Sequence, residues 1–278
     1  MTTVVITGAS KGIGRATALY LDKKGFTVIA GVRNQADGDT LCKEASSRLQ
    51  PVIVDITNAE QVIQLGETVK RIVGQNGLDG LVNNAGIAVA APLEFLPIDE
   101  FRRQIEVNLI AHLMVTQALL PSIRQAKGRI INISSIGGRL AGPMLGAYHA
   151  SKFAIEGLTD SLRQELAPWG IKVVIIEPGA IATPIWETGS NTADRLLAQM
   201  PPQAQQYYQK GVDGTKAFAA KASKTGLAPE KVAEVIEQAL TSPKPRTRYP
   251  VGGDAKFGTR IIAHLPDTWR DWMLAHRS

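Results

Sequence analysis

Short runs of β-branched and apolar residues alternate along this chain with longer stretches of helical periodicity. The runs Thr3–Thr7, Thr27–Val32, Pro51–Val54, Leu78–Asn83, Arg129–Ser134 and Lys172–Glu177 predict strands, with Arg248–Val251 as a seventh. Between them, helical periodicity covers Ile13–Lys24, Ala36–Leu49, Ala59–Gly74, Ile98–Ala126 and Ala150–Ala167. The stretch Val173-Val174-Ile175-Ile176 is apolar at every position rather than every second one, as a parallel strand covered on both faces requires. Regular β-α alternation with short connections predicts an α/β fold: a doubly wound parallel sheet of about seven strands with helices on both faces. No linker rich in Pro, Gly or Ser interrupts it, so residues 1–278 read as one domain.

After Pro178-Gly179 the pattern changes. Residues 183–226 are rich in Ala, Gln and Lys, with helical character. They form a long insertion before a further helix over Pro229–Leu240, and insertions of this size are commonly active-site lids. The tail from about 254 to 276 carries Trp269 and Trp272 with Ile261, Ile262 and Leu265, which predicts terminal helices docked through these apolar residues.

Composition narrows the classes. The 278 residues are 44% hydrophobic and 20% charged with a formal net charge of +6, enough apolar content for a sizeable core. The charge is spread without Lys/Arg runs or interleaved aromatics, so it suits an anionic cofactor and gives no sign of nucleic-acid binding. The single cysteine, Cys42, excludes an internal disulfide and reads as a small helical residue. The opening residues enter a strand directly, and no apolar run approaches the roughly eighteen residues of a membrane span. The expectation is a soluble, cytoplasmic protein.

Two stretches carry candidate chemistry. Thr7-Gly8-Ala9-Ser10-Lys11-Gly12-Ile13-Gly14 lies between the first strand and the first helix. Glycines there let the backbone turn tightly and approach a pyrophosphate at the helix N-terminus, the arrangement of a Rossmann fold. Tyr148 and Lys152 stand four residues apart at the head of a helix, on one face. An ammonium beside a phenol favours the phenolate and is expected to lower the tyrosine pKa, which suits proton transfer to or from a substrate oxygen. A surface lysine on an amphipathic helix is the alternative for that pair alone. His149 points about 100° away from their face and reads as a neighbour.

These motifs and their order resemble the short-chain dehydrogenases/reductases in their compact single-domain form, over about residues 2–184. Asp55, with Ile56 after it, follows the third strand, where the family's aspartate meets the adenine. Asn83-Asn84-Ala85-Gly86 closes the fourth strand, Asn108 lies in the central helix, and Ser135 stands thirteen residues before Tyr148, with Ser134 its structural alternative. Pro178-Gly179 and Thr183, with Ile181 between, match the turn that flanks the nicotinamide. The resemblance implies that Tyr148 is the general acid or base, that Lys152 lowers its pKa and holds the nicotinamide ribose, and that Ser135 polarises the substrate oxygen. Asn108 would hold a water leading from Lys152 to solvent. It also implies assembly as a homodimer or homotetramer through the helices over Ile98–Ala126 and Ala150–Ala167.

The second strand ends Gly31-Val32-Arg33-Asn34 and supplies no acid for a ribose 2′-hydroxyl. Arg33 and Lys11 are placed to flank a 2′-phosphate, which predicts NADP(H); two solvated surface cations are the alternative. The expected substrate wall is apolar: Ile87 after the Asn-Ala-Gly turn, Leu140, Met144 and Leu145 after Ser135, and Ile185 with Trp186 after Thr183. A hydrophobic ketone, aldehyde or alcohol is therefore expected, and the segment from Ile176 to Pro184 is similar to hydroxysteroid and retinol dehydrogenases. A non-catalytic dinucleotide-binding sensor is the competing class; the retained Tyr, Lys and Ser count against it.

Overall fold

The computed structural model describes residues 2–275. Its sheet has seven parallel strands: β1 (Thr3–Ile6), β2 (Thr27–Val32), β3 (Leu49–Ile53), β4 (Gly80–Asn83), β5 (Arg129–Ile133), β6 (Lys172–Pro178) and β7 (Arg248–Val251), in spatial order β3-β2-β1-β4-β5-β6-β7. Strand order reverses beside β1, which pairs with both β2 and β4. In open α/β sheets such a switch point opens a crevice at the strands' carboxyl ends, where ligands bind.

Each face of the sheet is buried under helices. On one face, α1 (Gly12–Lys23) and α9 (Pro229–Thr241) seat Ala18, Leu21, Val232 and Ile236 against Val4, Ile6, Val28 and Ile131. On the other, α3 (Ala59–Val73) and α5 (Ala111–Ala126) seat Leu65, Val69, Leu119 and Ile123 against Val5, Ile29, Leu81 and Ile130. With both faces covered, the strands must be apolar throughout. The helix α2 (Gln35–Cys42) follows β2, and α6 (Gly146–Leu166) runs between β5 and β6.

Three expectations need correction. The helix expected over Ala36–Leu49 stops at Cys42. Leu49 is taken by β3, where it pairs with Val28, and the buried Asp22 captures the backbone N–H and hydroxyl of Ser46 at 2.8 and 2.5 Å. Propensity at 43–48 loses to a tertiary hydrogen bond and a strand register. The helix expected over Ile98–Ala126 is divided into α4 (Ile98–Ile105), one π-helical turn (Glu106–Ile110) and α5. The turn is closed by the Ala111 N–H on the Glu106 carbonyl and holds the buried Asn108. The tail forms α10 (Gly253–Arg260) and α11 (Asp267–Ala275), but Trp269 and Trp272 are 65% and 64% exposed, so these two rings are not buried as docked residues would be. His276, the last residue of the expected tail helices, lies outside the described residues.

The insertion is an α-helical hairpin, α7 (Ile185–Gln199) and α8 (Pro202–Thr225). Its rim is tied to the body by Arg195 donating to Glu100 at 2.7 Å and by the Tyr208 hydroxyl donating to Glu94 at 2.7 Å, with Phe95 edge-on to the Tyr208 ring. Among the described residues no helix is long and apolar enough to cross a membrane.

Leu81 sits fully buried in β4 at the middle of the sheet. Leu81→Ala is expected to cost about 2–5 kcal/mol of stability, from lost transfer energy and a cavity the parallel strands cannot close. Urea denaturation followed by circular dichroism measures it.

Candidate active site

Three loops meet above the carboxyl ends of β1, β4 and β6. The glycine loop leaves β1 with Gly8 at φ +64° and Gly12 at φ +55°, conformations that side chains rarely adopt. A Cβ on Gly8 would come within 2.7 Å of Ala85 Cα, and one on Gly12 within 3.2 Å of Thr183. A Cβ on Gly14 would collide with the Gly8 carbonyl oxygen and the Asn84 amide. Side-chain volume is therefore excluded where α1 begins, and the loop's close approach to the Asn84-Ala85-Gly86 and Pro178–Thr183 turns depends on it. Ser10 and Ile13 are half-buried in this loop, while Lys11 and Arg33 stand exposed on the β1–β2 side. A diphosphate at the start of α1 fits this cradle.

The motif residues divide into those that face the crevice and those that brace it. Thr7 Oγ1 accepts the backbone N–H groups of Asn84 and Ala85 at 3.0 and 3.1 Å. The Asn84 amide donates to the carbonyls of Thr7 and Gly8, so its side chain fixes the loop instead of reaching for a cofactor. Asp55 is exposed, and its carboxylate is held below the usual range by hydrogen bonds from the Thr57 backbone and hydroxyl, with the nearby Arg33 charge adding to the effect. Ile56 and Ile181 send their side chains into the two cores, which leaves only their backbones for a ligand. The turn at Gly179 presses against Asp254 of α10, whose carboxylate accepts the Ala180 N–H at 2.7 Å.

Tyr148, Lys152, Ser135 and Asn108 do converge. The first turn of α6 brings the Lys152 ammonium to 5.8 Å from the Tyr148 ring centre, while its Nζ donates to the Ile133 carbonyl at the end of β5 at 2.8 Å. Ser135 closes the turn after β5, its Oγ accepting the Gly137 N–H at 3.0 Å, with its hydroxyl beside the Tyr148 phenol. Asn108 is fully buried and its carboxamide is held by protein groups: Oδ1 accepts the Ile87 N–H, and Nδ2 donates to the Ile87 carbonyl and to Ser151 Oγ. What it does is tie the π turn to the segment after Gly86 and, through Ser151, to α6.

Electrostatics correct one further expectation. Burial pushes the Tyr148 phenol above its ordinary value, and the Ser135 hydroxyl offsets part of that rise. Burial also brings the Lys152 ammonium down to about 8, against the upward pull of Glu156. The protein's own groups thus move the two apart, the lysine downward and the tyrosine upward. His149 turns away, its Nδ1 on the Gly137 carbonyl at 2.9 Å, as expected of a bystander.

Beyond Leu145, three residues before Tyr148, lies an apolar recess of about 560 Å³, part of it continuous with solvent. Met144, Leu145, Ile185 and Trp186 line it, together with Ala88 and Phe218 beneath the α7–α8 hairpin. Ile87 and Leu140 do not line it. Ile87 packs with Val89 and Leu96, and Leu140 faces Gly258 on α10. Met144 adopts φ +69°, uncommon outside glycine, and its carbonyl accepts the Ala91 N–H at 2.8 Å. Trp186 is oriented by its Nε1–H on the Ile181 carbonyl at 2.6 Å and by an edge-on contact with Phe218.

The sequence profile of the short chain dehydrogenase family matches residues 2–194. The chain belongs to that family. It is an oxidoreductase acting on CH–OH groups and served by a nicotinamide dinucleotide. Mouse retinol dehydrogenase 5 is 41% identical over 98% of this chain and 88% of its own length, and bovine 17-beta-hydroxysteroid dehydrogenase type 6 is 39% identical over 98% and 87%. Among solved structures, a short-chain dehydrogenase from Streptomyces avermitilis superposes with a TM-score of 0.79 at 31% identity, covering 99% of this chain and 97% of that one. Another, from Burkholderia cenocepacia in complex with NADP, gives a TM-score of 0.76 at 26% identity over 98% and 97%.

Several residues that hold this dehydrogenase's site carried no readable motif. Gln104, fully buried, accepts the Val89 N–H and donates to the Ile87 carbonyl. His112 binds the Ala85 carbonyl through Nε2 at 2.6 Å. Asn132 and Thr159 extend a buried hydrogen-bonded ladder from the motif residue Asn83. Polar residues in apolar helices and strands were the available signal, since buried polar groups need partners.

Two outcomes follow. Gly14→Ala should weaken binding of the nicotinamide dinucleotide roughly tenfold or more by displacing the Gly8 carbonyl and Asn84, measurable by fluorescence titration with the reduced cofactor. Burial, with Lys152 adding to it, holds the buried His112 neutral by lowering it from 6.5 to about 4. Its folded pKa lies below its unfolded one, so it contributes stability that is present above pH 6.5 and lost as pH falls towards 4. The loss is on the order of 3 kcal/mol. Denaturation of wild type and His112→Gln across that window should show a shallower pH dependence in the variant.

Proposed function

We propose that this dehydrogenase interconverts a hydrophobic ketone or aldehyde with its alcohol, using NADP(H), with Tyr148 as the proton donor in reduction and acceptor in oxidation. The observation that carries the reading is the Tyr148–Ser135–Lys152 cluster, together with an apolar recess walled by Met144, Ile185, Trp186, Phe218 and Leu145, of which Leu145 stands three residues ahead of Tyr148 in the chain. The nicotinamide cofactor supplies or removes the hydride. The chain's work is to seat the carbonyl, polarise its oxygen with the Ser135 hydroxyl, and deliver one proton from Tyr148 Oη to that oxygen. Carbonyl carbon gains the hydride, oxygen gains the proton, and the alcohol results. Lys152 faces the phenol so that the phenolate left behind meets a positive charge.

Preference for NADP(H) is supported by exposed Arg33 at the end of β2 and Lys11 in the glycine loop, with no carboxylate on the β2 end itself. The names of the relatives point to retinoids and steroids as the substrate classes to try first. Exposed Ile110 and Phe153, on the π turn and α6, support assembly of two or four copies through those faces.

NADPH and NADH oxidation should be compared against steroid ketones, retinal and small aromatic carbonyls; turnover is expected with NADPH on one apolar class. Tyr148→Phe should keep cofactor affinity and lose nearly all turnover, and near-normal rates would remove the proton-donor role. Arg33→Asp should weaken NADPH binding by about 1.5–3 kcal/mol, the worth of a charge-assisted hydrogen bond, while leaving NADH little changed. An unaltered NADPH/NADH preference would refute that assignment.

A further inference from the structure

Behind Lys152, away from the recess, lies a buried charged cluster with no part in the proton transfer described above. Glu156 stands one turn after Lys152 on the same face of α6, and the two residues are 6% and 5% exposed. Arg248 of β7 clamps Glu156 with Nε on Oε2 at 3.1 Å and reaches Asp160, one turn further on, at 2.7 Å. Glu177 of β6 lies in the same cluster, 3.8 Å from Arg248 and 3.5 Å from Arg139. The second oxygen of Glu156 is buried without a geometrically sound hydrogen bond. The Ser134 hydroxyl stands beside the carboxylate and eases its charge, but a buried carboxylate so incompletely bonded is costly unless a positive charge nearby rewards it. The Lys152 ammonium, buried with the Ile133 carbonyl as its hydrogen-bond acceptor, has the complementary need.

We propose that Glu156 is a positioning residue for the reaction: its carboxylate, clamped by Arg248, is the fixed counter-charge that keeps the buried Lys152 ammonium protonated and directed at Tyr148. The proposal rests on the assignment of Tyr148 and Lys152 made above. The groups facing Lys152 are Tyr148 and Glu156 from its own helix and His112 from α5. His112 is neutral at working pH. Around Glu156 stand Arg139 from the segment after β5, Glu177 from β6 and Arg248 from β7, both arginines engaged by carboxylates. Arg248 lies nearer to Glu156 than to Glu177, so ionisation is favoured at Glu156. Burial pushes Glu156 up as well, but the Ser134 hydroxyl, Arg248 and Arg139 pull it back; burial and the Glu156 charge push Glu177 up to about 7, so of the two Glu156 takes the charge first.

The test reads Lys152 directly. The 13Cε resonances of labelled lysines are followed against pH in wild type, Glu156→Gln and Glu156→Asp, with Lys152→Met giving the assignment. The Lys152 midpoint should fall by about one pH unit or more in Glu156→Gln and lie between the two in Glu156→Asp, where the charge is kept but withdrawn. The alkaline limb of NADPH-dependent carbonyl reduction should move to lower pH by a similar amount. If Glu156→Gln does not fold, Glu156→Asp alone carries the test. An unmoved midpoint in the variant that folds overturns the proposal, even if turnover has dropped. If Lys152→Met keeps wild-type turnover, the catalytic assignment fails instead, and the lysine midpoint still judges the link between Glu156 and Lys152.

Discussion

A lysine ammonium buried at the carboxyl end of a parallel sheet is the demanding feature of this molecule. A charge removed from water is unfavourable by several kcal/mol unless other groups replace its hydration. Lys152 meets this with a strand-end carbonyl, Ile133, and a carboxylate one helical turn away. Those partners fix where α6 must start relative to β5. The start of α6 in turn fixes Tyr148 over Ser135, and Ser151 against the π turn that carries Asn108. The dehydrogenase fold places strand ends and helix starts at one edge; the buried cation sets their registration.

The glycine loop solves a different problem with opposite means. Here the requirement is absence of side chains, so that β1, the turn after β4 and the turn after β6 can approach within van der Waals distance. Asn84, Thr7 and Asp254 then hold that approach with hydrogen bonds to backbone groups. The motif asparagine, in this view, is a brace of the cofactor cradle. The recess beneath α7 and α8 is lined mainly by apolar side chains.

The sheet could be read from the sequence because both of its faces are buried: continuous apolar runs such as Val173 to Ile176 have no other stable use. The site residues were legible because their spacing encodes a shared face or a shared turn. What stayed hidden was set by long-range partners. The end of α2 depends on Asp22 capturing Ser46, across 24 positions of sequence. The π turn at Asn108 depends on the Ile87 backbone and Ser151, neither of which perturbs the periodicity of 98–126. The direction of the Tyr148 shift was misread because proximity of a cation could be inferred from i and i+4 spacing, whereas the depth of burial that outweighs it could not. Trp269 and Trp272 look like docking residues by composition, yet their helix leaves them at the surface.

The central claim is that this chain aligns a nicotinamide and an apolar carbonyl so that hydride reaches carbon while Tyr148 supplies the proton. Its most direct test is isotopic. NADPH carrying deuterium at the transferable C4 position would be oxidised with an apolar carbonyl in ordinary water, and the product alcohol analysed by mass spectrometry. The account predicts one deuterium on the carbinol carbon, and an unlabelled carbinol carbon when the label is moved to the solvent instead. Deuterium found at carbon from solvent, or none transferred from the cofactor, would contradict it.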